Sequence, residues 1–106
     1  MRNDVVVEKM IRLIEKLEKY CENITYEEFE KNEMLTEACI FTISQLGELT
    51  RKIDEKFEEE HPQIPWRQLY GLRNRIVHDY EGVNLRLVWE IIESDISSLK
   101  KELIKL

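Results

Sequence analysis

Apolar residues recur every three or four positions along most of this chain, and that spacing favours helices over any other element. From residue 4 to residue 22 the apolar side chains fall on one face of a helix, with charged side chains opposite. No segment shows sustained two-residue alternation, so we expect no sheet. Only three glycines and two prolines interrupt the 106 residues. The chain is therefore expected to fold as a few helices with short connections.

Capping and breaking residues divide this pattern into four long helices and one short one. Thr25 followed by Glu28 has the form of a capping box, which should open the short helix to about Lys31. The prolines at 62 and 65 break the pattern, and Asn84 is the expected cap of the last helix. The long helices are expected over about residues 4–22, 33–59, 65–80 and 85–105.

These helices predict an all-α fold, an antiparallel up-down four-helix bundle with an extra short helix. A length of 106 residues suits one domain, residues 1–106. Gly47 stands inside the second long helix, where glycine costs roughly 1 kcal/mol relative to alanine. A close crossing with another helix would justify that cost.

Net charge argues against a protein that coats nucleic acid generally, because it is −6 at pH 7. The segment from residue 62 to residue 86 differs from the rest. Its charged side chains are four arginines and two acids: Arg67, Arg73, Arg75 and Arg86, with Asp79 and Glu81. Arginine favours fork-like contact with phosphate, so this segment is the expected contact for a phosphate-bearing substrate.

Other features point to a cytoplasmic protein that needs no cofactor. Cys21 and Cys39 lack CxxC spacing, so we interpret them as reduced, small apolar residues. Uncharged runs are far shorter than the ~20 apolar residues of a membrane span, and the N-terminal residues do not resemble a signal peptide. There is no HxxxH, HExxH or Cys/His cluster, so no metal site is expected.

The run Arg73-Asn74-Arg75-Ile76-Val77-His78-Asp79-Tyr80 carries most of the functional information. Arginine neutralises phosphate oxygens, and histidine can move a proton near pH 7. Residues of these types suit chemistry on a phosphodiester, which suggests a small ribonuclease.

On one continuous helix, Asn74 and Arg75 would lie beside His78, and Arg73 would stack with Tyr80. Arg73 and His78 would then point about 140° apart. One helix could not easily aim both at the same phosphate, so this spacing hints at a dimer in which each subunit supplies one of the two.

The same residues also have a purely structural interpretation. Cations near the C-terminal end of a helix are stabilised by the helix dipole, Asp79 could pair with Arg75, and Tyr80 could anchor the core. Residue types alone leave this alternative open.

A family resemblance rests on this run and on its flanks. Arg73 and His78 match the Rx4-6H signature of the HEPN superfamily, and Tyr80 completes its extended form Rx4HxY. The flanking residues look like the HepT branch: Ile64-Pro65-Trp66-Arg67, Gly71-Leu72 and Gly47-Glu48. The similarity extends over nearly the whole chain.

The resemblance implies a dimer whose motif helices line a shared cleft. It also implies a metal-independent endoribonuclease, the toxin of a toxin–antitoxin pair, in which Arg73 and His78 act on RNA with Asn74 and Arg75 in support. The implied partner is an MntA-like minimal nucleotidyltransferase that transfers AMP to Tyr80. Some HEPN domains are binding modules, so a non-catalytic domain that docks a nucleotidyltransferase is the alternative.

Overall fold

Helices make up most of the computed structural model, which describes residues 2–78 and 82–106, His78 by its backbone alone. The helices are α1 (Asn3–Tyr20), α2 (Tyr26–Lys31), α3 (Glu33–Thr50), α4 (Glu55–Glu60), α5 (Trp66–Tyr70), α6 (Leu72–Ile76), α7 (Leu85–Glu90) and α8 (Ile96–Ile104). A π-helical turn, Ile91–Asp95, joins α7 to α8. Strands β1 (Val77–His78) and β2 (Gly82–Val83) pair antiparallel. The predicted all-α class is confirmed, apart from this pair of two-residue strands.

The core forms where α1, α3 and the last helix pack together. Helices α1 and α3 run antiparallel, because Asn3 bonds to Asp54 at one end while the Sγ atoms of Cys21 and Cys39 lie 3.7 Å apart at the other. Both thiols are buried and are not joined by a disulfide in this structure. Among the described residues, no helix has the length and apolar character to cross a membrane.

Two local capping signals, at Thr25 and Asn84, predicted helix starts correctly. The Thr25 hydroxyl accepts from the backbone N–H of Glu28, and the Glu28 carboxylate accepts from that of Thr25, at 3.2 and 2.9 Å. Asn84 begins α7 by accepting from the Leu87 N–H at 3.0 Å. These bonds join residues three apart, so the sequence alone specifies them.

The predicted long helix over residues 33–59 is wrong, because it divides into α3 and α4. After Thr50 the backbone makes tighter i→i+3 bonds, such as Ile53 N to Thr50 O at 3.1 Å. Asp54 is extended, and its N–H donates to the side chain of Asn3 at 3.1 Å. This contact with α1 satisfies a donor that a continuous helix would have bonded internally.

The predicted helix over residues 65–80 is also wrong in its second half. It is interrupted at Gly71 and ends at Ile76, whose carbonyl accepts from the Asn84 N–H at 2.8 Å. Val77 is extended and pairs with Val83. Gly82 has φ +87°, a conformation that glycine adopts without strain. The last helix extends close to its predicted limits, with the π-helical turn inside it.

Gly47 lies where α3 meets α5 and α6, as the predicted close crossing requires. A Cβ atom at this position would lie 2.9 Å from the backbone carbonyl oxygen of Leu69 and 3.8 Å from Cβ of Leu72. Because Leu69 O is a backbone atom, it cannot rotate away. The glycine therefore sets how closely the segment that carries the arginines approaches α3.

Replacing Gly47 by alanine tests this constraint. Alanine gains about 1 kcal/mol of helix propensity, but overpacking typically costs about 1–3 kcal/mol. We expect Gly47→Ala to lower the free energy of unfolding, measured by urea denaturation. Gln45→Ala, at an exposed α3 position, is the control and should change stability little. A Gly47→Ala protein at least as stable as the parent would contradict the close crossing.

Candidate functional site

Helix α6 presents three of the predicted site residues to solvent. Leu72 and Ile76 are 3% and 0% exposed and hold the helix against the core, while Arg73, Asn74 and Arg75 are exposed. At 100° per residue, the two arginines leave the helix about 160° apart, one on each side of its buried face. They therefore serve different parts of the surface, with Asn74 between them.

Arg75 faces a groove of about 370 Å³ between the α5–α6 segment and the helix that contains the π-helical turn. Its Nη2 atom lies 4.0 Å from Oδ2 of Asp95. Both side chains are partly solvated, so this pair contributes little to stability. The sequence did not predict that Asp95 lies beside Arg75, because no local pattern links residues that are twenty positions apart.

The backbone of His78 lies in β1, immediately beyond the end of α6, and pairs with Gly82. Because the helix ends at Ile76, the predicted helical stacking of Arg73 with Tyr80 has no basis. The same holds for the placement of Asn74 and Arg75 beside His78, and for the 140° between Arg73 and His78. Tyr80 and Asp79 lie outside the described residues, and so do their predicted contacts.

The other two arginines of the basic segment lie elsewhere. The guanidinium of Arg86 stacks over the ring of Tyr26, 4.2 Å from its centroid, a contact that stabilises both side chains. Arg67 is exposed on α5, beside a surface that also includes Glu58 and Glu59. The positive charge that is concentrated in the sequence is thus dispersed in space, and α6 carries the two arginines of the motif.

The two tryptophans belong to the packing, as expected for most tryptophans. Trp66 is buried, and its indole N–H donates to the carbonyl of His61 at 2.9 Å. Trp89 packs against Phe29, with ring centroids 5.1 Å apart. Among the described side chains, no group of three His, Cys, Asp or Glu residues could hold a metal ion.

Comparison with known families and proteins gives one consistent result. The family model described as "Ribonuclease HepT-like" matches residues 10–106. The chain is 33% identical over 100 residues to "Probable ribonuclease HepT" of Thermococcus cleftensis, covering 94% of this chain and 91% of the relative. No solved structure gives a significant match.

Two further relatives carry names of the same kind. "Putative RNase TTE0752" of Caldanaerobacter subterraneus subsp. tengcongensis is 32% identical over 96 residues, covering 91% of this chain and 86% of the relative. "Putative RNase MJ1380" of Methanocaldococcus jannaschii is 37% identical over 84 residues, covering 79% and 77%.

Asn84 ties the motif segment to α7, and its replacement tests that link. Asn84→Ala removes the cap on Leu87 and should lower the free energy of unfolding by about 1 kcal/mol. It should also speed hydrogen exchange of the amide at position 84, which donates to Ile76. Asn32→Ala is the matched control, because Asn32 caps α3 through Leu35 at 3.0 Å. We expect both variants to lose similar stability, but only Asn84→Ala to show faster exchange at position 84. Unchanged exchange there would contradict the link.

Proposed function

Because the chain belongs to the ribonuclease HepT-like family, we propose that it is a metal-independent endoribonuclease and the toxin of a toxin–antitoxin pair. One observation carries the proposal. Arg73 and Asn74 stand exposed on α6, and the chain brings His78 immediately beyond that helix, inside the matched region. The enzyme works in the cytoplasm as one domain, residues 1–106, with a HEPN-like four-helix arrangement.

The proposed reaction uses the nucleophile that RNA itself carries. The 2′-oxygen attacks the adjacent phosphorus, the bond from phosphorus to the 5′-oxygen breaks, and a 2′,3′-cyclic phosphate and a 5′-hydroxyl result. His78 takes the proton of the 2′-hydroxyl or gives a proton to the leaving 5′-oxygen. Arg73 stabilises the negative charge that grows on the non-bridging oxygens. Asn74 orients His78 or bonds to the phosphate, and Arg75 contacts the RNA backbone.

Two proton transfers are needed, and a homodimer supplies two histidines. With His78 of one subunit as the base and His78 of the partner subunit as the acid, both transfers are catalysed in one cleft.

The proposed regulation is covalent modification of Tyr80 by an MntA-like nucleotidyltransferase. The phenol oxygen of Tyr80 attacks the α-phosphorus of ATP, forming the O–P bond as pyrophosphate leaves. The attached AMP places a bulky anion two residues from His78. It would occupy the phosphate site and repel RNA.

The catalytic role of His78 is tested by cleavage of total RNA in EDTA. Wild-type protein should cut and leave cyclic phosphate ends, while His78→Ala should lose activity by about 10²–10⁴-fold with an unchanged fold. Activity retained in His78→Ala would remove His78 from the mechanism. No cutting by an unmodified wild-type protein would favour the alternative, a binding module for a nucleotidyltransferase.

The two arginines should differ in kinetics. We expect Arg73→Gln to lower kcat by about 10²–10³-fold, because it removes charge stabilisation of the transition state. Arg75→Gln, the matched variant on the same helix, should chiefly raise KM. Equal effects of both substitutions on kcat would contradict the separation of roles.

Modification of Tyr80 is tested by incubating the protein with ATP and an MntA-like nucleotidyltransferase. Intact mass should increase by one or more adenylyl groups, and RNA cleavage should fall. Tyr80→Phe should gain no mass and remain active in the presence of the partner. Labelling of Tyr80→Phe to the same extent would place the acceptor elsewhere.

A further inference from the structure

A second basic surface lies between α1 and the C-terminal end of α3. It is an open groove of about 680 Å³, and we call it the α1–α3 groove. Its lining residues are Lys9, Arg12, Leu13 and Lys16 from α1, with Gln45, Glu48, Leu49, Arg51 and Lys52 from the other side. Among the described side chains that line it, five are cationic and one is a carboxylate. The sequence did not reveal this cluster, because its two halves are more than thirty residues apart.

Helical spacing gathers the cations of α1 on one side. Lys9, Arg12 and Lys16 are three and four residues apart, so they form a stripe within about 60° of the helix circumference. The carboxylates of Glu15 and Glu18 point elsewhere, since both pair with Lys100 on α8, at 3.5 and 2.9 Å. Two of the acids on α1 therefore face α8, away from the cations of the groove, while Glu8 lies beside Arg12.

Much of the positive charge in the groove is not neutralised by ion pairs. Arg12 pairs with Glu8, and Arg51 lies 3.7 Å from Glu48. Within the part of the chain that the structure describes, Lys9, Lys16 and Lys52 form no salt bridge, and all three are exposed. On a protein of net charge −6, such a groove attracts an anion while the remaining surface repels it.

We propose that the α1–α3 groove binds phosphates of the RNA backbone, as a contact separate from the motif on α6. This rests on the proposed ribonuclease function, which makes RNA the polyanion that the protein must hold. A second copy fits poorly, because a two-fold axis would bring the same cations face to face. Five cations carried on long side chains suit backbone contact without base selection.

The groove and the motif lie on different sides of α3. Gly47 faces Leu69 and Leu72, whereas Leu49 in the groove lies about 200° further round the helix. RNA that reaches both contacts must pass around the molecule. The groove therefore contributes to RNA affinity and to KM, while the chemical step depends on α6 and His78.

The test compares two triple substitutions that change net charge equally. One is Lys9→Gln, Lys16→Gln and Lys52→Gln in the groove, and the other is Lys31→Gln, Lys56→Gln and Lys101→Gln, at exposed positions outside it. Both are made in wild-type protein for kinetics and in His78→Ala protein for binding of single-stranded RNA over a range of salt. Thermal unfolding shows whether each variant keeps its fold.

Three phosphate contacts contribute about 2 to the slope of log K against log salt, at about 0.7 each for single strands. We expect the groove variant to lose about that much slope and to bind RNA about tenfold or more weakly at low salt. The outside variant should keep the parent's slope, and KM should rise in the groove variant alone.

The outcomes separate this proposal from the proposed function. If wild-type protein cleaves RNA through His78 but both triple variants bind RNA alike, the groove proposal is overturned and the ribonuclease stands. The groove proposal is likewise overturned if the groove variant keeps RNA affinity but loses binding to the nucleotidyltransferase. If wild-type protein neither binds nor cuts RNA, both proposals fail.

Discussion

The approach of the α5–α6 segment to α3 is the contact on which the arrangement of the site depends. It is a contact between backbones, because Gly47 leaves space for the carbonyl of Leu69 where any side chain would intrude. Leu72 and Ile76 then fix the rotation of α6 by burying one of its faces. That rotation leaves Arg73 and Arg75 on opposite sides of the buried face of α6. The exposure of the two arginines therefore follows from the packing beneath them. The close packing of α5–α6 on α3 compensates for the helix propensity that is lost at Gly47.

Features that depend on a few neighbouring residues were predictable from the sequence. Thr25 and Asn84 cap helices through bonds to residues three positions on, and the apolar spacing of α1 specifies its buried face. The ends of α3 and α6 were not predictable in this way. Apolar residues continue at helical spacing past both ends, as Ile53 and Val77 show. Competing bonds come from Asn3, far away in the chain, and from Asn84, which lies beyond the turn that follows α6. These non-helical hydrogen bonds outweigh local propensity.

In the candidate site, likewise, the sequence predicted which residues take part but not where they lie relative to one another. Residue types and their order identified Arg73, Asn74, Arg75 and His78 as candidates, since chemistry on a phosphodiester depends on those side chains. Their mutual geometry could not follow from the sequence, because it was derived for one continuous helix and α6 ends at Ile76. Nor could the sequence show that Asp95 lies beside Arg75, or that cations of α1 and α3 share one groove.

The distribution of charge explains how an acidic protein could still hold RNA. Arg86 stacks on the ring of Tyr26 and Arg67 lies beside Glu58 and Glu59, so these two arginines have different neighbours from the two on α6. With the α1–α3 groove as a proposed second contact, RNA affinity on a protein of net charge −6 is divided between separate basic surfaces. Arg73 belongs to the motif on α6, and Arg75 faces the groove between α5–α6 and the last helix, beside Asp95. The α1–α3 groove is a different surface, on the far side of α3. If the α1–α3 groove binds RNA as we propose, an RNA long enough to reach both the groove and the motif on α6 is held more tightly than a short one. Substrate length then becomes a determinant of selection, even where no base is read.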